Sequence, residues 1–97
     1  MMTYEAATKI NEDAKEYRRT LEEMITTAET VNEVETIRKC FMCYADGIIT
    51  ALKATKSSEE DEKWIKMLNG ILADYQNLIK LIAERKIGSL YNSGKTE

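Results

Sequence analysis

Apolar side chains recur on a seven-residue ladder along three successive stretches of this chain, and that repeat admits little besides helices packed side by side at a shallow angle. In the first stretch Ala7, Ile10, Ala14, Tyr17, Leu21, Met24 and Ala28 alternate spacings of three and four. The positions between them are polar, among them Lys9, Glu12, Asp13, Lys15, Glu16, Arg18, Arg19, Glu22 and Glu23. This helix therefore offers one narrow stripe. The second ladder is Val34, Ile37, Phe41, Tyr44, Ile48 and Ala51, with Met42, Ala45, Ile49 and Leu52 beside it. The third is Trp64, Leu68, Ile71, Tyr75, Leu78 and Ile82, flanked by Ile65, Leu72 and Ile79. Helices two and three are apolar over so much of their girth that each must touch more than one neighbour.

The breaks between ladders carry helix-start chemistry. Thr30 with Glu33 forms a capping box, in which side chains satisfy backbone donors that have no partner inside the helix, and Asn32 with Glu35 is an alternative. Ser57 with Glu60, or Ser58 with Asp61, starts the third helix, and the run Glu59-Glu60-Asp61-Glu62 sits where the helix dipole favours negative charge. Glu84-Arg85-Lys86 places cations near the end of that helix, and Gly88 is the expected residue just past it. Gly47 and Gly70 fall inside ladders that stay in phase across them, so both are assigned to continuous helices rather than turns; a fourth helix starting near Ile71 is the alternative.

The predicted fold is all-α: an up-down-up antiparallel bundle of three helices over about 3–28, 31–56 and 58–87, with 88–97 a flexible tail, the whole forming one domain over 1–97. Short connections force antiparallel neighbours. That topology brings Glu29, Glu33 and Glu35 near Arg85 and Lys86 at one end, and Lys53 and Lys56 near Glu59, Glu60 and Glu62 at the other. The absence of proline and the presence of only 4 glycines argue against a turn-rich sandwich or barrel. The surplus apolar girth predicts that the bundle is completed by self-association.

Charge and residue types narrow the function classes. A net charge of −3, with no basic surplus in any segment, argues against a nucleic-acid partner. No window is long and apolar enough to cross a membrane, and no apolar leader stretch is visible, so the expectation is a cytoplasmic protein with no membrane partner. The chain has no histidine, no Gly-rich phosphate loop and no nucleophile–base pair, which predicts a non-enzymatic protein with no cofactor and no metal. Cys40-Phe41-Met42-Cys43 is the one motif that resembles redox or zinc chemistry. It lies inside a helix and lacks further ligands, so small apolar packing groups are its plainer meaning.

Two clusters are singled out as candidate sites. Tyr17, Tyr44 and Tyr75 sit on seam positions near mid-helix, at similar heights in the predicted bundle, with Gly47 and Gly70 close by. A mid-bundle pocket lined by these tyrosines, with Asn69 and Gln76 supplying hydrogen bonds, would hold a small ligand such as a nucleotide. Trp64, Ile65, Leu72, Ile79, Ile49 and Leu52 are the expected partner interface, with Trp64 as anchor. The expected function is therefore a helical interaction protein that binds or inhibits another protein through an apolar helix face, besides pairing with itself. The alternative is an oligomeric bundle that sequesters a small ligand, as a phage or mobile element could use against host defence.

Overall fold

Thr3, Thr30 and Ser58 each hold extended backbone and turn a side-chain oxygen onto the N–H three residues ahead, and each opens a helix. Thr3 accepts from Ala6, Thr30 from Glu33 and Ser58 from Asp61, each at 3.1 Å. The computed structural model describes residues 2–94, and its three helices are α1 (Tyr4–Thr27), α2 (Val31–Thr55) and α3 (Glu59–Asn92). No strand occurs among the described residues. Thr30 and Ser58 are the caps expected from the sequence, chosen from two candidates each. The Thr30 hydroxyl also donates to the Glu33 carboxylate at 3.1 Å, so the box closes through side chains.

Every pair of helices is in contact. Near the start of α1 the Met2 N–H donates to Asp61 Oδ1 at 2.6 Å, tying it to the first turn of α3. Toward the far end, Lys86 Nζ donates to the Thr26 carbonyl at 2.8 Å. Midway, Gln76 Nε2 donates to the Met42 carbonyl at 3.3 Å and to Asp46 Oδ1 at 3.0 Å, joining α3 to α2. The Cα envelope measures 53 × 19 × 14 Å. Its long axis is the length of α3, whose 34 residues span about 51 Å at 1.5 Å each.

Two expectations about α3 need correction. Gly88 does not end it: the helix runs on to Asn92, because Leu90 is buried in the core and holds the extra turn down. The helix closes instead at Ser93-Gly94, where Gly94 takes φ +81° and its N–H donates to the Tyr91 carbonyl at 3.1 Å, a left-handed conformation that glycine adopts without penalty. The part of the expected tail at 95–97 lies outside the described residues. Helices α2 and α3 are continuous through Gly47 and Gly70, so the fourth-helix alternative falls.

The second correction concerns rotation. The buried line of α3 is Ile65, Leu68, Leu72, Ile79, Ala83 and Leu90, whereas the ladder residues Trp64, Ile71, Tyr75 and Ile82 are half-buried and Leu78 is exposed. The predicted flank is the core; of the predicted seam Leu68 alone is buried with it, and the other ladder residues form the rim or stand exposed. A strict seven-residue step drifts about 20° per heptad around an ideal α-helix, so a long helix cannot keep one heptad line inward without supercoiling. Leu68, Ile79 and Leu90 are eleven residues apart, a step that stays on one side of a nearly straight helix. The same drift appears in α2, where the buried line leaves the ladder after Phe41 and continues through Ala45 and Ile49. Of the predicted end-to-end charge contacts, Lys56 meets Glu62 at 3.8 Å, while Lys86 binds a backbone carbonyl rather than an acid.

Candidate functional site

The three tyrosines do not converge on a pocket. Tyr17 and Tyr44 do meet, with ring centroids 4.7 Å apart, and Phe41 packs against both at 6.0 and 5.8 Å. The equal rise per residue along α1 and α2 brings these two rings to one height. Burial pushes the Tyr17 and Tyr44 phenols above their ordinary range, since it disfavours the charged form. Tyr75 belongs to another seam. Its hydroxyl donates to Asn11 Oδ1 at 2.8 Å, and the Arg18 guanidinium lies 5.0 Å from its ring centroid while pairing with Glu22. Helical phase decides this: α3 turns Tyr75 toward α1, whereas Tyr44 meets α1 from α2. Gln76 is engaged by Met42 and Asp46, and Asn69 lies apart beside Lys53, Lys56 and Lys66. Neither cleft described below is lined by a tyrosine.

The expected interface is also largely internal. Ile49, Leu72 and Ile79 are sealed in the chain's own core, so they present no surface to a partner, while Ile65, though buried, lies at the floor of two surface clefts. Only Trp64 and Leu52 are half-exposed, and Trp64 already stacks edge-on against Tyr4 at 6.0 Å. The spare apolar surface lies elsewhere. On α3, Met67 is 44% exposed, Leu78 39% and Leu81 52%, with half-buried Ile71 in line. These residues share one helix face, because Met67, Ile71, Asp74, Leu78, Leu81 and Arg85 again alternate steps of four and three. The stripe from Met67 to Leu81 is about 21 Å long. In the sequence Asp74 interrupts this apolar run, and Met67 and Leu81 lie outside the third ladder.

The charges on this face lack partners inside the helix. Lys9 pairs with Asp13, Arg18 with Glu22 and Glu35 with Arg38 at helical spacing. Arg38 holds the Glu35 carboxyl below its ordinary value through their hydrogen bonds. By contrast, the positions three and four residues from Asp74 are Gly70, Ile71, Asn77 and Leu78, and those around Arg85 are Leu81, Ile82, Gly88 and Ser89. Neither charge forms an ion pair among the described residues.

Two clefts open on the surface of the described residues. One, of about 240 Å³, opens between Met2, Ala6, Ile10, Leu52, Lys56 and Asp61. Its one buried acid is already satisfied: Asp61 accepts from the Met2 N–H and, at 3.0 Å each, from the N–H and hydroxyl of Ser57. Those donors favour the carboxylate and lower its pKa to about 2. The other, an open groove of about 430 Å³, runs past Lys53, Lys56, Glu62, Lys66 and Asn69. Cys40 and Cys43 stand free and exposed on α2 rather than in a packing layer. No group of three or more acidic or cysteine side chains able to hold a metal occurs among the described residues, and no helix is long and apolar enough to cross a membrane. Searched against family models, curated proteins and solved structures, the chain matches none.

Proposed function

We propose that this chain is a small non-enzymatic interaction protein that binds or inhibits a protein partner through the outer face of α3. One observation carries the proposal. Met67, Leu78 and Leu81 are aligned and exposed on one face of a helix whose opposite side supplies the buried core line. Aligned large apolar groups rimmed by charge are a contact surface, whereas scattered ones need no explanation. Within this proposal the helices form an up-down-up antiparallel bundle. The Met2–Asp61 and Lys86–Thr26 bonds at opposite ends of α1 and α3 support that arrangement. A cytoplasmic location is kept with it, in line with the unbridged surface cysteines.

Photo-crosslinking tests the surface directly. A benzophenone side chain placed at Leu78 in cells expressing the chain is expected to give discrete adducts, and one placed at Thr50, exposed on α2, is expected to give none. No adduct from Leu78, or the same adducts from both positions, would contradict the proposal.

A further inference from the structure

We infer that the partner of this face is a second copy of the same chain, with the two α3 helices packed antiparallel about a two-fold axis between Leu78 and Leu81. The inference rests on the proposal that the outer face of α3 is a contact surface, and it names the occupant.

The evidence is self-complementarity in one register. The outward ladder is Met67, Ile71, Asp74, Leu78, Leu81, Arg85, Gly88 and Asn92, and none of these residues is buried. In an antiparallel helix pair, alternate ladder positions face each other across the axis. With the axis between Leu78 and Leu81, Leu78 meets the partner's Leu81, and Asp74 meets the partner's Arg85. By symmetry each contact occurs twice. Ile71 then faces the partner's Gly88, which has no side chain of its own, and beyond the local helix backbone nothing lies within 4 Å of where its Cβ would stand, so the position is open to an incoming side chain. The two charges that find no partner within their own helix thus find each other.

Other alignments lose this match. Sliding one copy by a heptad sets Asp74 against the partner's Leu78 or the partner's Asn92, and Arg85 against the partner's Met67 or the partner's Leu81. A parallel, in-register pair sets Asp74 on the partner's Asp74 and Arg85 on the partner's Arg85, where like charges repel. The unpaired charges therefore select orientation and register, while the leucines and Met67 supply the apolar contact. Two single-helix stripes form a small interface, below about 1,200 Å², which predicts a reversible dimer with a dissociation constant of roughly 1–100 µM.

Analytical ultracentrifugation of the full chain from 1 to 500 µM tests this. The average mass is expected to rise with concentration from 11.1 kDa toward twice that value. Leu81→Glu is expected to stay monomeric throughout. Asp74→Arg and Arg85→Asp alone are each expected to weaken the dimer about tenfold, by placing like charges together at two sites. The double exchange Asp74→Arg/Arg85→Asp is expected to return it to within about threefold of the unaltered chain. All the substituted side chains are exposed, and each variant is first checked by circular dichroism for the helical signal of the unaltered chain. A strictly monomeric unaltered chain overturns the inference, as does a double exchange no tighter than either single one. In the first case, Leu78-specific adducts of a mass other than the dimer would leave the contact surface standing with a different occupant. Absence of those adducts would remove the surface as well.

Discussion

The two sides of α3 are alike in residue type and opposite in consequence. Ile65, Leu68, Leu72, Ile79, Ala83 and Leu90 face inward and are buried, whereas Met67, Leu78 and Leu81 face outward and remain in solvent. Leucines stand on both sides. The difference is what surrounds them: the inner line is closed off by α1 and α2, and the outer line stays about half in solvent. Apolar character alone therefore does not separate core from contact surface in a helix apolar over most of its girth; rotation does.

The largest expected effect breaks the inner side. Leu72→Ala opens a cavity in a packed core and should cost about 2–5 kcal/mol by urea unfolding, with loss of cooperative unfolding as the extreme outcome. A cost near zero would mean that the inner line is not the core. Acid reports the contact that docks α1 onto the start of α3. Asp61 has a folded pKa lowered from 3.8 to about 2, so its contribution is fully present above about pH 4 and is lost as pH falls through 2. Melting temperature should therefore fall more steeply between pH 4 and pH 2 for the native chain than for Asp61→Asn. Equal slopes would remove Asp61 from that role.

Smaller effects sharpen the comparison at the rim and on the outside. Tyr75→Phe removes one hydrogen bond to Asn11 and should cost about 1 kcal/mol in the same urea assay; no change would mean that solvent replaces the bond fully. Leu81→Ser should change monomer stability by less than about 0.5 kcal/mol when measured at low micromolar concentration, because its side chain is half in water already. A loss like that of Leu72→Ala would erase the distinction between the two sides.

The sequence made the helices legible wherever local chemistry decides. Thr30 and Ser58 are caps because a hydroxyl can reach a free N–H three residues ahead, and that reach is encoded in spacing alone. What it did not make legible depends on angles between helices. Equal rise placed Tyr17 beside Tyr44, yet Tyr75, at a similar height, turns into a different seam. A seven-residue ladder identified the helical segments, but phase drift moved the true core of α3 onto its flank. Gly88 read as a stop because the contact that carries the helix past it, the burial of Leu90, is tertiary. The outer stripe follows the same repeat but is broken by Asp74, and only the fold shows that Asp74 and Arg85 both stand without an ion-pair partner among the described residues.

The most direct test of the outer face as the contact surface is methionine-methyl NMR of the full chain from 10 µM to 1 mM. Met67 lies on that face, Met24 is exposed on α1 and Met42 is half-buried on α2, so one spectrum samples three surroundings. The account predicts that the Met67 methyl resonance shifts with concentration while those of Met24 and Met42 hold still. A stationary Met67, or a shift confined to Met24 or Met42, would contradict it.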